Sequence, residues 1–414
     1  MSSSPSVAQR NTDPVVRRAV RSTYLVFAAS GFAFANWASR IPQVKDHLGL
    51  TPSGLGLLLL AIAAGSVVAL PAAGHIISRI GSRHTVLIMV FTMAVGIVVA
   101  GLGWFVGTPL VAVGLFVFGF ANGAWDVAMN VQGALVERAL GRAIMPRFHA
   151  GWSLGTVTGA LLGALMVLLH VPVTAHLIGT AVVISLVVPI AVRGYLSDTA
   201  EQEEGDAAPP RSAFAAWREP RTLLIGLFVL SFAFAEGAGN DWISVAIIDD
   251  YGSQAALGTL GFAIFLASMT LGRWFGPLLL DRYGRVAAVR ATALVAVVGV
   301  LVFVFGGTTW VAYGGAVLWG LGVSLGFPVG MSAGADDPRY AAARVSVIAS
   351  VGYCAFLGGP PLLGFLGDHY TVLKAIVAVA VLLGVSALIA TSVRPPAAAT
   401  AVTGPAGEPA LPRS

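Results

Sequence analysis

The sequence predicts an all-α polytopic membrane protein: twelve transmembrane helices in two pseudo-symmetric six-helix bundles, with both termini in the cytoplasm. Its composition points to a membrane, because 57% of the 414 residues are hydrophobic and only 10% are charged. Soluble domains carry roughly 25% charged residues. Apolar stretches of about twenty residues, the length that crosses a bilayer, recur along the whole chain. Basic residues are confined almost entirely to alternate connections, as in membrane proteins of fixed orientation.

Twelve apolar segments are predicted to span the membrane. They lie at 21–40, 53–77, 84–104, 109–134, 147–169, 174–193, 221–245, 257–280, 287–305, 311–331, 345–366 and 372–392. Cytoplasmic loops carry an excess of Lys and Arg, and all but three of the 24 Lys and Arg residues fall on one side. The exceptions are Arg40, Lys45 and Lys374. An even number of spans places both termini on the same side, and the excess of Lys and Arg identifies that side as the cytoplasm. We expect the protein in the cytoplasmic (inner) membrane.

The longest predicted connection divides the chain into two halves. It contains EQEEGDAAPPR, a polar run with Pro and Gly that cannot bury enough apolar surface to fold alone. The predicted regions are a cytoplasmic tail at 1–20, a bundle at 21–193, a cytoplasmic linker at 194–220, a second bundle at 221–392 and a disordered cytoplasmic tail at 393–414.

The two halves repeat short sequence features. FAFAN at 32–36 matches FAFAE at 232–236, and SRIGSR at 78–83 matches DRYGR at 281–285. Self-similarity at corresponding positions is the signature of an internal repeat. A parallel repeat about an axis normal to the membrane implies two bundles with a solute site between them near the midplane.

A polar stripe in span four supplies the first candidate for a functional acid. Asn122, Asp126 and Asn130 recur at i, i+4 and i+8 and so share one helix face. Ionisable groups inside a span are costly and usually face a wet cavity, and partial desolvation suits Asp126 to proton exchange. The alternative is a structural role for Asp126, in which it holds neighbouring helices together through hydrogen bonds.

Span seven supplies the second candidate, Glu236, near its middle. Glu236 is the counterpart of Asn36 in the repeat, and a purely structural repeat would not require a carboxylate in place of an amide. The alternative is that a hydroxyl or amide across the helix interface satisfies it. Asn240 and Asp241 follow toward the outer mouth, where Asp241 either meets substrate or is solvated or paired with Arg40.

Polar and aromatic side chains are predicted to complete a solute pocket. Aromatic rings beside amides and carboxylates suit a sugar or polyol, whose hydroxyls take hydrogen bonds while its C–H faces stack on the ring. The predicted substrate-binding residues are Asn36, Trp37, Arg40, Asn122, Asn130, His149, Trp152, Asn240, Asp241 and Tyr353. Interfacial anchoring is an open alternative for Trp37, as is a surface or capping role for His149.

Several motifs carry a family resemblance. GHIISRIGSR at 74–83 and GPLLLDRYGR at 276–285 resemble the cytoplasmic loop motif of the major facilitator superfamily, between helices two and three and between eight and nine. WDVAMNVQGALVER at 125–138, HAGWSLG at 149–155 and FAEGAGNDW at 234–242 are similar to a branch of poorly characterised bacterial permeases. That branch includes the rhizopine-catabolism membrane protein and an enterobacterial inner-membrane relative.

The resemblance implies a secondary transporter that works as a monomer and moves a small molecule by alternating access. Rhizopines are amino derivatives of inositol, so the implied substrate is a polyol, an aminopolyol or a sugar-like solute. In the family, charged residues of the loop motifs pair with helix ends and hold the outward-open state, although Ser78 stands where the family usually has Asp. The resemblance carries that gating role to Arg79, Arg83, Asp281, Arg282 and Arg285.

Other function classes lack their sequence signatures. The chain has no G-x-x-x-x-G-K-[ST] loop for nucleotide phosphates, so gradients must supply the energy, and the acids inside the spans favour proton coupling. The seven histidines are scattered, without an H-E-x-x-H group. We therefore predict no enzymatic activity, no metal, no cofactor and no nucleic-acid partner. A proton-coupled drug or metabolite exporter is the alternative function.

Overall fold

The computed structural model describes residues 13–140, 144–197, 216–337 and 340–395, and within these ranges all regular structure is helical. Most of each predicted tail and most of the predicted linker lie outside the described residues. The helices are α1 (Pro14–Ala38), α2 (Ile41–His47), α3 (Pro52–Val106), α4 (Thr108–Leu140), α5 (Met145–Leu168), α6 (Val173–Ala191), α7 (Pro220–Asp249), α8 (Ala255–Phe305), α9 (Thr309–Val323), α10 (Gly326–Gly334), α11 (Ala341–His369), α12 (Val372–Ala375) and α13 (Val377–Ile389). Short 3₁₀ turns follow α6 at Val192–Gly194 and α13 at Ala390–Val393.

The prediction of an all-helical membrane protein is confirmed. Among the described residues, ten helical segments are long and apolar enough to cross a bilayer. The helix α1 is not one of the ten, since Arg21 and Asn36 interrupt its apolar run. It also begins at Pro14, earlier than the predicted start at residue 21. The cause is local: Asp13 caps the helix by accepting a hydrogen bond from the backbone N–H of Val15 at 2.8 Å.

Two loops predicted between spans are helical apart from a single break. The helix α3 runs through predicted spans two and three, and α8 runs through spans eight and nine. The breaks fall at Gly81 (φ 78°, ψ 162°) and Gly284 (φ 75°, ψ 164°). Residues with a side chain rarely adopt this positive φ, so the position favours glycine. The two loop motifs therefore have the same backbone as well as similar sequences.

Small residues let the helices of the first half approach closely. A Cβ atom on Gly155 of α5 would lie 2.0 Å from the carbonyl oxygen of Ala28 in α1, and one on Gly119 of α4 would lie 2.0 Å from that of Ile62 in α3. In membranes, where apolar burial drives helix association weakly, such backbone contact is a main source of packing energy. Glycine at these positions lets α1 pack closely on α5 and α3 pack closely on α4.

The two halves meet at one end of the molecule. We call the end at which α1 begins the inner end and the opposite end the outer end. At the outer end, a Cβ atom on Gly56 of α3 would lie 2.3 Å from the carbonyl oxygen of Pro360 in α11, and one on Gly364 would lie 2.4 Å from that of Pro52. The backbones of α3 and α11 are therefore in direct contact there.

Candidate functional site

The polar stripe of α4 lies on one half-buried face, as its spacing predicts. Asn122, Asp126 and Asn130 are all partly exposed, while their neighbours Trp125 and Ala128 are buried. The side-chain amide of Asn130 donates to the backbone oxygen of Asp126 at 2.8 Å and to its carboxylate at 3.2 Å. Both contacts are local to the helix, so among the described residues Asp126 has an amide partner but no cation at its carboxylate.

His149 of α5 extends this polar chain. Its Nε2 lies 3.1 Å from the amide oxygen of Asn130. An amide oxygen only accepts hydrogen bonds, so Nε2 donates and carries the proton. The ring of Phe27 meets His149 edge-on at 5.2 Å between centroids. The hydrogen-bonded series Asp126, Asn130, His149 thus connects α4 to α5.

A half-buried ion pair lies on the second half. Arg273 of α8 donates to the Glu236 carboxylate of α7 at 2.8 Å, and the two side chains are 24% and 14% exposed. The position of Glu236 near the middle of α7 was predicted, but its arginine partner was not. Arg273 was grouped with the charges of the inner side although it lies inside predicted span eight. An arginine within an apolar span is the signal that would have found it.

The polar groups of the two halves face the same space. Arg273 is close enough to His149 for its charge to act on the imidazole ring. Tyr353 of α11 lies within electrostatic range of Asp126. Four helices, α4, α5, α8 and α11, therefore direct polar groups into one region between the halves.

This region widens toward the inner end, as the exposure of α11 shows. One face of that helix carries, from the outer to the inner end, Gly364, Pro360, Leu357, Tyr353, Ser350 and Ser346. The first two are buried, the next two half-buried and the last two exposed. The facing side of α3 follows the same trend, with Gly56 buried and Val67 exposed. The cavity between α3 and α11 is thus closed at the outer end and open toward the inner end.

Polar contacts join the two halves where the cavity is closed. Lys45 of α2 forms an ion pair with Asp249 of α7 at 2.7 Å. The backbone N–H of Ser53 lies 3.3 Å from both carboxylate oxygens of Asp368. An ion pair and a hydrogen bond to a carboxylate therefore join the halves at the same end as the backbone contact of α3 with α11.

Asn36 and Arg40, both predicted to bind substrate, are buried in a hydrogen-bonded network of the first half. They are 0% and 2% exposed. The Arg40 Nε donates to Nδ1 of His176 at 2.8 Å, and His176 Nε2 lies 2.6 Å from the Asn36 amide oxygen. Arg40 also donates to the Val171 carbonyl at 3.0 Å. Arg40 therefore has partners other than Asp241. The side chains of Asn36 and Arg40 do not reach the open cavity.

His176 is a polar residue of the interior that our sequence analysis missed. It lies inside predicted span six, where an ionisable group is itself a signal. Because Arg40 can only donate, Nδ1 of His176 accepts and Nε2 carries the proton. A neutral imidazole of fixed tautomer thus joins α6 to the end of α1.

The outer half of α7 and the end of α1 carry buried polar atoms that have no partner among the described residues. Within the described residues, Asn240 Oδ1, Ser244 Oγ and Trp37 Nε1 have no hydrogen bond and no exposed surface. Asn240 and Ser244 are one turn apart and so share a face. Asp241, which lies between them in sequence, is half-buried. Buried polar atoms normally have partners, so these three atoms can receive one from a bound molecule.

Two predicted aromatic residues have distinct surroundings. Trp152 of α5 is half-buried, with its ring 6.3 Å from that of Phe34. Tyr353 is half-buried beside Phe356, at 6.1 Å between ring centroids. Trp37, by contrast, is 2% exposed, so it does not have the wet environment of an interfacial anchor.

The predicted gating residues fall into two groups at the inner end. Arg285 pairs with Asp336, which also pairs with Arg221 at 2.9 Å, so α8 is tied to α7 through the segment after α10. The other four, Arg79, Arg83, Asp281 and Arg282, are exposed and have no ion pair within the described part of the chain. Ser78 binds the backbone oxygen of His75 at 2.9 Å.

The described residues contain no group of three His, Cys, Asp or Glu side chains that could hold a metal ion. The charged groups of the cavity interact with each other and with amides. Their arrangement provides hydrogen bonds and a carboxylate that can exchange a proton.

Comparison with known proteins gives consistent matches over most of the chain. The model of the Major Facilitator Superfamily matches residues 23–358. An uncharacterized transporter of Sinorhizobium fredii is 31% identical over 83% of this chain and 90% of its own length. An uncharacterized MFS-type transporter of Yersinia pestis is 31% identical over 92% of this chain and 97% of its own. Membrane protein MosC of Rhizobium meliloti is 26% identical over 86% of both chains.

Solved structures share the fold at low identity. The nucleoside transporter NupG superposes with a TM-score of 0.71 at 15% identity, covering 92% of this chain and 98% of its own. The E. coli fucose:proton symporter FucP superposes with a TM-score of 0.62 at 16% identity, covering 92% and 99%.

Proposed function

Because the chain belongs to the Major Facilitator Superfamily, we propose that it is a secondary active transporter that couples a small polar solute to protons. As a family member it is a multi-pass transporter of the cell membrane and not an enzyme. The proposed solute is a polyol, an aminopolyol or a sugar-like molecule. The observation that carries the proposal is the polar cavity between the halves, with Asp126 on one side and the Glu236–Arg273 pair on the other.

We propose twelve membrane spans with both termini in the cytoplasm. The ten apolar segments count α8 once, and the break at Gly284 divides it in two. Adding α1, which packs along α5, brings the total to twelve. Its polar residues are tolerated because Asn36 is fully buried in the bundle and Arg21 lies near the inner end, where basic residues are favoured.

Alternating access follows from the way the halves meet. The proposed bundles, 21–193 and 221–392, are in contact at the outer end through α3 and α11 and through Lys45 and Asp249. The cavity is open toward the inner end, so this arrangement corresponds to an inward-open state. Rotation of the bundles about the central site would separate the outer contacts and close the inner end.

Proton coupling rests on the different partners of the two acids. Glu236 already has a cation at 2.8 Å, which stabilises its charged form. Within the described part of the chain Asp126 has only an amide partner, so its negative charge is costly in a half-buried site and proton uptake removes that cost. We propose Asp126 as the main proton carrier. Glu236 would exchange its proton only in states in which Arg273 turns away.

The solute site that we propose lies between α1, α4, α5, α7 and α11. Unpartnered atoms of Asn240, Ser244 and Trp37 offer hydrogen bonds to hydroxyl or amino groups, and the half-buried rings of Trp152 and Tyr353 offer faces for stacking. A solute rich in hydroxyls satisfies both kinds of group. The names of the nucleoside transporter and the fucose:proton symporter that share the fold are in keeping with such a solute.

Uptake by purified protein in liposomes tests this function. Labelled inositol, an aminoinositol and fucose would be offered with an imposed pH gradient, beside an apolar cationic drug. We expect accumulation of at least one hydroxyl-rich solute, and none when the gradient is collapsed. Transport of the drug without transport of any polyol or sugar would favour the exporter alternative.

A further inference from the structure

A groove on the outside of the first half, remote from the cavity, has the features of a built binding site. It lies between α1 and α6 and encloses about 420 Å³. Its lining comes from Arg18, Arg21, Ser22 and Leu25 of α1 and from Val187 and Ile190 of α6, together with Ala191. None of these residues takes part in the proposed transport site.

The groove is polar at one end and apolar at the other. On α1, Arg18, Arg21 and Leu25 follow at i, i+3 and i+7 and so share one face. Both arginines are exposed, and neither has an ion pair within the described residues. Leu25 is 51% exposed, two turns farther into the membrane than Arg18. The positive charge of the two arginines therefore lies next to the apolar part of the groove.

The apolar part of the groove opens to lipid. The helix α6 packs mainly on α1 and α3 and turns exposed apolar side chains outward, among them Val182, Leu186 and Ile190. Ile190 is 65% exposed. In a protein embedded in the cell membrane, such a face at this depth contacts acyl chains.

The polar end of the groove is held in place where the backbone after α6 closely approaches α1. After α6 the chain turns through Val192–Gly194. A Cβ atom on Gly194 would lie 2.1 Å from Ser22 Oγ and 2.9 Å from Cγ of Arg18. The turn therefore packs against the stem of Arg18, which limits the positions that its guanidinium can take.

We propose that this groove binds one anionic phospholipid on the inner side of the membrane. Its phosphate would accept hydrogen bonds from the guanidinium groups of Arg18 and Arg21, a charge-assisted contact suited to phosphate oxygens. One acyl chain would lie along Leu25, Val187 and Ile190. Basic pockets between transmembrane helices on this side recognise anionic headgroups by the same chemistry.

Native mass spectrometry of the purified full chain, titrated with phosphatidylglycerol or phosphatidylcholine, tests the proposal. We expect tighter binding of the first phosphatidylglycerol. In R18Q/R21Q that binding should weaken about fivefold for each arginine removed, while phosphatidylcholine binding is unchanged.

The control R17Q/R147Q removes two exposed arginines that do not line the groove and should keep the preference for phosphatidylglycerol. R18K/R21K retains the charge and should keep most of the affinity. This result would show that the loss in R18Q/R21Q is not caused by misfolding.

Three results would overturn the proposal. An equal loss in R17Q/R147Q would mean general surface charge, and equal binding of the two lipids would mean no headgroup recognition. Competition by sn-glycerol 3-phosphate, which has no acyl chains, would mean a site for free phosphate instead of a lipid.

Discussion

Asp126 and Glu236 are both acids of the cavity, but their partners give them different chemistry. Glu236 forms an ion pair with Arg273, whereas the only hydrogen bond to the Asp126 carboxylate from a described residue comes from Asn130. A buried charge without a countercharge is the more costly of the two. At the scale of the residue, this difference supports the proposal that Asp126 is the main proton carrier and that Glu236 exchanges a proton only when Arg273 turns away.

Replacing Arg273 by Gln should destabilise the protein. The change leaves the Glu236 carboxylate without its cation in a site where it is 14% exposed. Breaking a buried pair costs about 3–5 kcal/mol and an exposed one much less. We expect about 2 kcal/mol, since Arg273 is 24% exposed. Thermal unfolding in detergent would measure it.

Two variants control that experiment. E236Q/R273Q removes both charges and should recover part of the stability lost in R273Q. R282Q removes an exposed arginine of the same helix and should unfold like the wild type. Equal melting temperatures for R273Q and R282Q would show that the ion pair does not stabilise the fold.

Sequence spacing predicted some of these residues and not their partners. The steps of four residues from Asn122 to Asn130 place the stripe on one face, because helical geometry is local. The pairing of Glu236 with Arg273 joins different helices, and spacing carries no information on such contacts. For the same reason Asn36 and Arg40 were expected in the pocket, whereas both bind His176.

At the scale of the helix, the break at Gly284 sets the angle between the two parts of α8. Its φ of 75° and ψ of 164° lie in a region that is essentially restricted to glycine and costs other residues about 1–3 kcal/mol. Gly284→Ala should therefore destabilise the protein by about that amount. No atom lies within 4 Å of a Cβ at this position, so the cost would come from the backbone alone and thermal unfolding would report it directly.

Gly314→Ala is the matched control. Gly314 lies inside α9, has open space around its Cβ position and lacks a positive φ. Alanine there should be neutral or stabilise by about 0.5–1 kcal/mol. Similar losses in both variants would mean that the backbone angle of Gly284 is not what the substitution disturbs.

Apolar length predicted the helices well, because a bilayer fixes the length of each span. It could not predict that the loops at 78–83 and 281–286 stay helical, since polar residues there are compatible with helix or turn. The early start of α1 was missed although Asp13 and Pro14 are a capping pair that the sequence displays.

At the scale of the whole molecule, the pair Lys45–Asp249 should stabilise outer closure. Burial lowers the pKa of Lys45, but its contacts with Asp249 and Asp46 outweigh burial and raise the pKa above its ordinary value. A raised pKa means that Lys45 contributes fully below its ordinary pKa, while Asp249 stays ionised, and that its contribution is lost as pH rises through the raised value. Closure through this pair should therefore not change between mildly acidic and neutral pH.

Lys45→Gln should shift the population toward the outward-open state. Spin labels at Leu169 and Trp310, exposed residues near the outer ends of the two halves, would report longer distances in a Cys354→Ser background. Lys374→Gln is the control, because Lys374 is exposed and has no ion pair among the described residues. Unchanged distances in Lys45→Gln would show that the pair does not hold the outer end closed.

The sequence could predict the two halves through their repeat but not the state in which they meet. Both states of a transporter use the same sequence and differ by only a few kcal/mol. The closed outer end depends on contacts between residues far apart in the chain, such as Gly56 with Pro360. Only the structure brings those residues together.

Proton movement driven by the solute tests the central claim most directly. Protein in liposomes that contain a pH-sensitive dye would be given a transported solute without any imposed gradient. We predict a solute-dependent pH change for the wild type and for Asp46→Asn, which removes an exposed carboxylate at the outer surface. Asp126→Asn should abolish that change while solute binding persists. The account would be contradicted by an undiminished proton flux in Asp126→Asn and in Asp126→Asn combined with Glu236→Gln.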